Sequence, residues 1–67
     1  MAVNLRRAAY LVAGDVAYQA GRCWRVEAVE YSGDTVRLDV TATRGVARVS
    51  TWALPVHEDV LVVGGDR

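Results

Sequence analysis

Across residues 35–43, apolar and polar side chains alternate without a break: Val36, Leu38, Val40 and Ala42 are separated by Arg37, Asp39 and Thr41. A period of two puts each set on its own face, so the segment predicts a half-buried β-strand. Residues 23–31 begin with Trp24 and Val26 in one parity and continue with Val29 and Tyr31 in the other. One extra residue near Ala28, a β-bulge, would return both pairs to the same face. Ser32-Gly33-Asp34 lies between the two segments and supplies residue types that tolerate positive φ, which predicts an antiparallel hairpin. Arg44-Gly45 is a second turn signal. It leads into residues 46–52, rich in β-branched side chains, and Leu54-Pro55 ends that run because proline has no N–H for a ladder.

Val60 to Val63 form a short apolar run suited to a last strand, and Gly64-Gly65 begin a polar end expected to fray. Residues 15–19 read as an early strand with Val16 and Tyr18 on one side, turned by Ala20-Gly21-Arg22 into the Cys23 segment. The first dozen residues fit two patterns. Asn4 is placed to cap a helical turn carrying Leu5, Ala8, Ala9 and Val12, while Tyr10-Leu11-Val12 suits a strand; the extended reading is preferred because a meander needs partners for its edges. The pattern predicts one all-β domain over residues 1–67, with 1–7 and 64–67 frayed. The expected form is a small five-stranded partial barrel built as an antiparallel meander, in which neighbours in sequence are neighbours in the sheet.

Composition narrows the function classes. The 67 residues are 52% hydrophobic but contain no Phe, so two Trp and three Tyr supply most of the bulk. A chain this short buries a small share of its surface and often gains stability from a disulfide, a metal or an oligomeric contact. Cys23 has no second cysteine to bridge and His57 is the lone histidine, which leaves self-association as the staple and a reducing, cytoplasmic setting as the expectation. No cofactor or metal is expected. Eight basic residues, all Arg, balance eight acidic ones, so no overall field steers the chain to nucleic acid or an anionic membrane. The apolar stretch at residues 8–13 is too short for a signal or membrane-spanning segment.

The arrangement Leu11-x-x-Gly14-Asp15-Val16, then Gly21-x-x-Trp24-Arg25-Val26-x-x-Val29, then Val36-x-Leu38 resembles the N-terminal SH3-like domain of elongation factor P, and more broadly the KOW-type small barrels of translation proteins. The resemblance covers roughly residues 8–63 and implies a small barrel fold. In elongation factor P the loop after the second strand is glycine-rich and presents a basic residue, usually a modifiable lysine. Tyr31-Ser32-Gly33-Asp34 stands there in this chain, which has no lysine, so the tRNA-supporting activity of the family is not carried over.

Candidate chemistry is sparse. His57, Glu58 and Asp59 are consecutive, and side chains at consecutive positions of an extended chain diverge, so a metal site or acid/base pair is not expected. Cys23 lacks an evident base to activate it, and Ser50-Thr51 lacks a His or Asp partner. The sequence thus points away from an enzyme. Two binding surfaces stand out. Trp52, Leu54 and Val56 form an apolar stretch at a strand end, suited to anchoring a protein partner or a second copy. Arg22, Arg25, Arg37, Arg44 and Arg48 with Tyr31 are residue types that contact phosphates and stack on bases, the alternative reading of a nucleic-acid or ribosome-associated module. Glu27, Glu30, Asp34 and Asp39 are interleaved with them, as on an ordinary cross-paired solvated face.

Overall fold

The structure, a computed structural model, describes residues 3–46 and 48–63. It is all-β. Strands β1 (Val3–Arg7), β2 (Val16–Gln19), β3 (Arg22–Ser32), β4 (Thr35–Ala42), β5 (Val49–Pro55) and β6 (Asp59–Val63) form one sheet, with a single 3-10 turn at Ala8–Tyr10. All pairings are antiparallel and the order is β1-β6-β2-β3-β4-β5. Six strands stand where the pattern predicts five, because Val3–Arg7, within the segment expected to fray, pairs with β6 as β1, while Tyr10-Leu11-Val12, the residues suited to a strand, fall in the 3-10 turn and the loop after it. The meander runs only from β2 to β5. β6 departs from it, inserting between β1 and β2, where a strand with Val60 and Val62 buried gains ladder partners on both edges. Among the described residues no ladder joins β1 to β5, so the sheet stays open with those two strands as its edges. The end expected to fray at residues 64–67 lies outside the described residues.

Residues opposite one another across an antiparallel ladder share a face, and the registers therefore define an inner face. β4 contributes Val36, Leu38, Val40 and Ala42, all buried. Val26 of β3 lies opposite Val40, Val29 opposite Leu38, and the register shifts between Val26 and Ala28. The extra residue at this bulge is Glu27, and it keeps Trp24, Val26, Val29 and Tyr31 on one face despite their change of parity. Ala17, Val60 and Val62 complete the strand contribution, and Ala8 and Leu11 enter from the 3-10 connection. Among the described residues no helix or second sheet covers this face, so the sheet bends over its own apolar side.

β1 runs against this pattern. Its apolar side chains Val3 and Leu5 lie opposite Val63 and Leu61 on the outer face, exposed, while Asn4 and Arg6 share the inner face with Val62 and Val60. Arg6 donates from Nη1 to Asp15 Oδ2 at 3.0 Å, and the same carboxylate oxygen accepts the Val12 N–H at 3.0 Å. One Asp15 side chain thus ties β1 to the loop before β2.

The turns follow from local chemistry. Gly33, at φ 60°, takes the first position of the two-residue turn between paired Ser32 and Thr35. Between paired Gln19 and Arg22 the turn is Ala20-Gly21, at φ 55° and 76°. Positive φ at both positions suits Asn-Gly or Gly-Gly; alanine there crowds its Cβ against the backbone at a cost of about 1–2 kcal/mol. Replacing Ala20→Asn is expected to raise unfolding free energy by about 1 kcal/mol, read from the urea midpoint at unchanged m-value. In the same assay Leu38→Ala, at a fully buried site, should cost ~2–5 kcal/mol. Arg37→Ala, one residue away on the solvated face, should change stability by less than about 0.5 kcal/mol.

Candidate interaction groove

The hydrogen-bond phase of β5 fixes which of its backbone groups remain free. Ala42 N–H donates to Arg48 C=O at 2.9 Å and Val56 N–H to Asp34 C=O at 2.9 Å, and the β4–β5 register continues through Val40 opposite Ser50, Leu38 opposite Trp52 and Val36 opposite Leu54. In an antiparallel pair, hydrogen-bonded and non-bonded positions alternate. Ser50, Trp52 and Leu54 therefore bond to β4, and the N–H and C=O groups of Val49, Thr51 and Ala53 point away from it. Pro55 ends the strand without an N–H to offer.

On this side of β5 lies a groove of about 240 Å³. Trp52 and Leu54 of β5 line one wall, Tyr18 and Gln19 of β2 with Val60 and Leu61 of β6 line the other, and Glu58 and Asp59 close one end. The groove exists because the bent sheet is not closed: β2 and β6 pair only at Ala17–Val62 and Tyr18–Leu61, and no strand fills the space between them and β5. Trp52 is held in place by Trp24, which reaches across β4 from the neighbouring strand; the ring centroids are 5.8 Å apart and the planes meet at 68°. Edge-to-face contact of this kind fixes ring orientation beyond what area burial provides. Leu54 and Trp52 are half-buried, with their inner edges on the core. Val56 also packs on the core but does not line the groove.

The arginines separate into two groups. Arg22, Arg44 and Arg48 surround a second depression of about 370 Å³ with Gly21, Gly45 and Val46, and among the described residues no carboxylate lines it. Arg25 is instead paired with Glu27, Nε to Oε2 at 3.0 Å, and Arg37 stands opposite Glu30 on the outer face. Tyr31 lies away from the basic depression and donates its hydroxyl to Ala9 C=O at 2.7 Å. The six residues singled out for nucleic acid thus do not form one surface: three converge, Arg25 and Tyr31 are engaged locally, and Arg37 stands on the outer face.

His57, Glu58 and Asp59 are all exposed around the turn into β6. Among the described residues no group of three or more His, Cys, Asp or Glu is placed to hold a metal ion, and no helix is long and apolar enough to cross a membrane. Cys23 is a free, half-buried thiol on the outer face opposite Tyr18. Its carbonyl accepts from the Thr43 N–H at 3.2 Å.

Sequence reasoning singles out Trp52 and Leu54 but misses the opposite wall. Tyr18, Gln19, Val60 and Leu61 join the groove through the insertion of β6 beside β2, a long-range pairing that no local pattern carries. Comparison with protein-family models, with curated proteins and with solved structures finds no match.

The free-edge assignment makes a direct prediction for amide exchange. Ser50, Trp52 and Leu54 should be protected, while Val49, Thr51 and Ala53 exchange at least roughly tenfold faster, an alternation measurable by residue-resolved NMR exchange.

Proposed function

We propose that the chain is a non-enzymatic interaction module of the SH3-like small-barrel kind, which receives an extended segment of a protein partner, or of a second copy, along the free edge of β5. The observation that carries this reading is the coincidence of an unpaired strand edge at Val49, Thr51 and Ala53 with an apolar groove anchored by Trp52 and Leu54. Strand addition uses these two elements together: main-chain hydrogen bonds supply affinity and pockets for alternate side chains supply specificity. A half-buried Trp whose ring is already oriented gives contact area at a small entropic cost. The resemblance to translation-protein barrels supports the fold assignment within this reading, and the lone Cys23 suits a reducing, cytoplasmic location.

A second reading, a nucleic-acid or ribosome-associated module, is favoured by one observation, the convergence of Arg22, Arg44 and Arg48. Its weakness is the pairing of Arg25 with Glu27, the placement of Arg37 opposite Glu30, and the engagement of Tyr31.

Light scattering after size exclusion, with and without a short mixed-sequence single-stranded oligonucleotide at low and then moderate salt, separates the two. The expected result is a species whose mass is indifferent to the oligonucleotide. A mass increase with oligonucleotide that salt abolishes would instead establish the second reading.

A further inference from the structure

The apolar groove and the basic depression lie in succession along β5, and between them Val49, Ser50 and Thr51 line a further depression with Glu27 and Asp39. Gln19, before the β2–β3 turn, lines the first, and Gly21 and Arg22, just after it, line the second. On the opposite wall Trp52 and Leu54 line the first, while Arg48, immediately before β5, lines the second. From Arg48 to Leu54 an extended chain covers about 20 Å at ~3.3 Å per residue. Along that length the surface changes character. It begins with three arginines and, among the described residues, no lining carboxylate, passes over Trp52 and Leu54, and ends at Glu58 and Asp59. A chain with no net charge thus presents a trough with a positive end and a negative end.

Resting on the β5-edge reading above, we propose that the segment it receives is an acidic peptide of about six or seven residues. Its Asp or Glu side chains lie over Arg22, Arg44 and Arg48, and its apolar side chains lie on Trp52 and Leu54. Guanidinium groups match carboxylates in planar, two-point geometry. Neither salt bridge among the described residues involves any of these three arginines, so an incoming carboxylate displaces no ion-pair partner among them. The polarity of the trough sets the direction as well: negative charge on the ligand is favoured at the Arg48 end and disfavoured beside Glu58 and Asp59.

The same polarity argues against a nucleic-acid strand in the trough. A phosphate backbone is uniformly negative and would run from the arginines into the two carboxylates. Val46, the exposed apolar side chain lining the basic depression, offers no ring for base stacking beside the arginines; the rings of Tyr18 and Trp52 lie in the apolar stretch.

The test is selection of a degenerate library of eight-residue peptides against the full chain, followed by affinity measurements on the selected peptides. The expected outcome is enrichment of Asp and Glu at one end of the peptide and of apolar residues at alternate positions further along. Affinity should fall roughly tenfold or more in the R44E/R48E double variant and fall with added salt. Both substituted side chains are exposed, and an unchanged near-ultraviolet circular dichroism spectrum confirms the fold. Trp52→Ala, checked in the same way, should weaken binding of the same peptides. Selection of apolar peptides with no acidic preference, sensitive to Trp52→Ala and indifferent to R44E/R48E, would overturn the acidic assignment and leave the β5-edge reading standing. Absence of any enrichment, or binding of a twelve-nucleotide oligothymidine through the arginines in preference to peptides, would overturn both.

Discussion

A single sheet with no covering layer can bury an apolar face only by bending onto itself, and everything else in this structure depends on how that bend is achieved. The buried row of Val36, Leu38 and Val40 on β4 faces Ala17, Val60 and Val62 from the other half of the sheet. The bulge between Val26 and Ala28 sits on β3, the strand between those halves, and a bulge increases local bend and twist. Large side chains are few, so Trp24 and Trp52 span the concave side by meeting over β4. The bend does not bring β5 into a ladder with the opposite half. What remains is a seam with one free strand edge and a partly filled apolar wall.

Edges of this kind are hazards as well as assets, since an unpaired row of N–H and C=O groups accepts strands indiscriminately. The chain restricts its β5 edge at both ends. Pro55 removes one donor, and Arg48, immediately before the strand, places there a charge that a random apolar segment does not satisfy. At the other edge, β1 presents Arg6 and Arg7 among only five residues. Selectivity at β5, on the proposed reading, then rests on chemistry that a partner must match along its length.

Much of this fold was readable from alternation alone. Period two identified β4, the parity change identified the bulge, and Gly33 identified the hairpin, because each is a local consequence of side-chain direction or of positive φ. β5 was displaced toward its C-terminus, to Val49–Pro55, since Val46 is as β-prone as Val49 yet belongs to the exposed loop. The place of β6 was not readable. Its pairing with β1 and β2 depends on residues more than forty positions away, and nothing in Val60 to Val63 distinguishes a sixth strand beside β2 from one beside β5. For the same reason Trp52 and Leu54 stood out in the sequence while their facing wall did not. The arginines show the limit again: of the five candidates, the convergence of Arg22, Arg44 and Arg48 apart from Arg25 and Arg37 is visible only once the registers are known.

The pairing of Val3 with Val63 has a mechanical consequence. The two ends of the described chain leave the sheet side by side, so tension applied across them loads the β1–β6 ladder from its open end and parts it one residue pair at a time. Little apolar surface resists, since β1 turns Asn4 and Arg6 inward, and the chief restraint after the first bonds is the Arg6–Asp15 ion pair. Under load the domain would shed β1 first while β2 to β5, and the trough beside β5, keep their ladders.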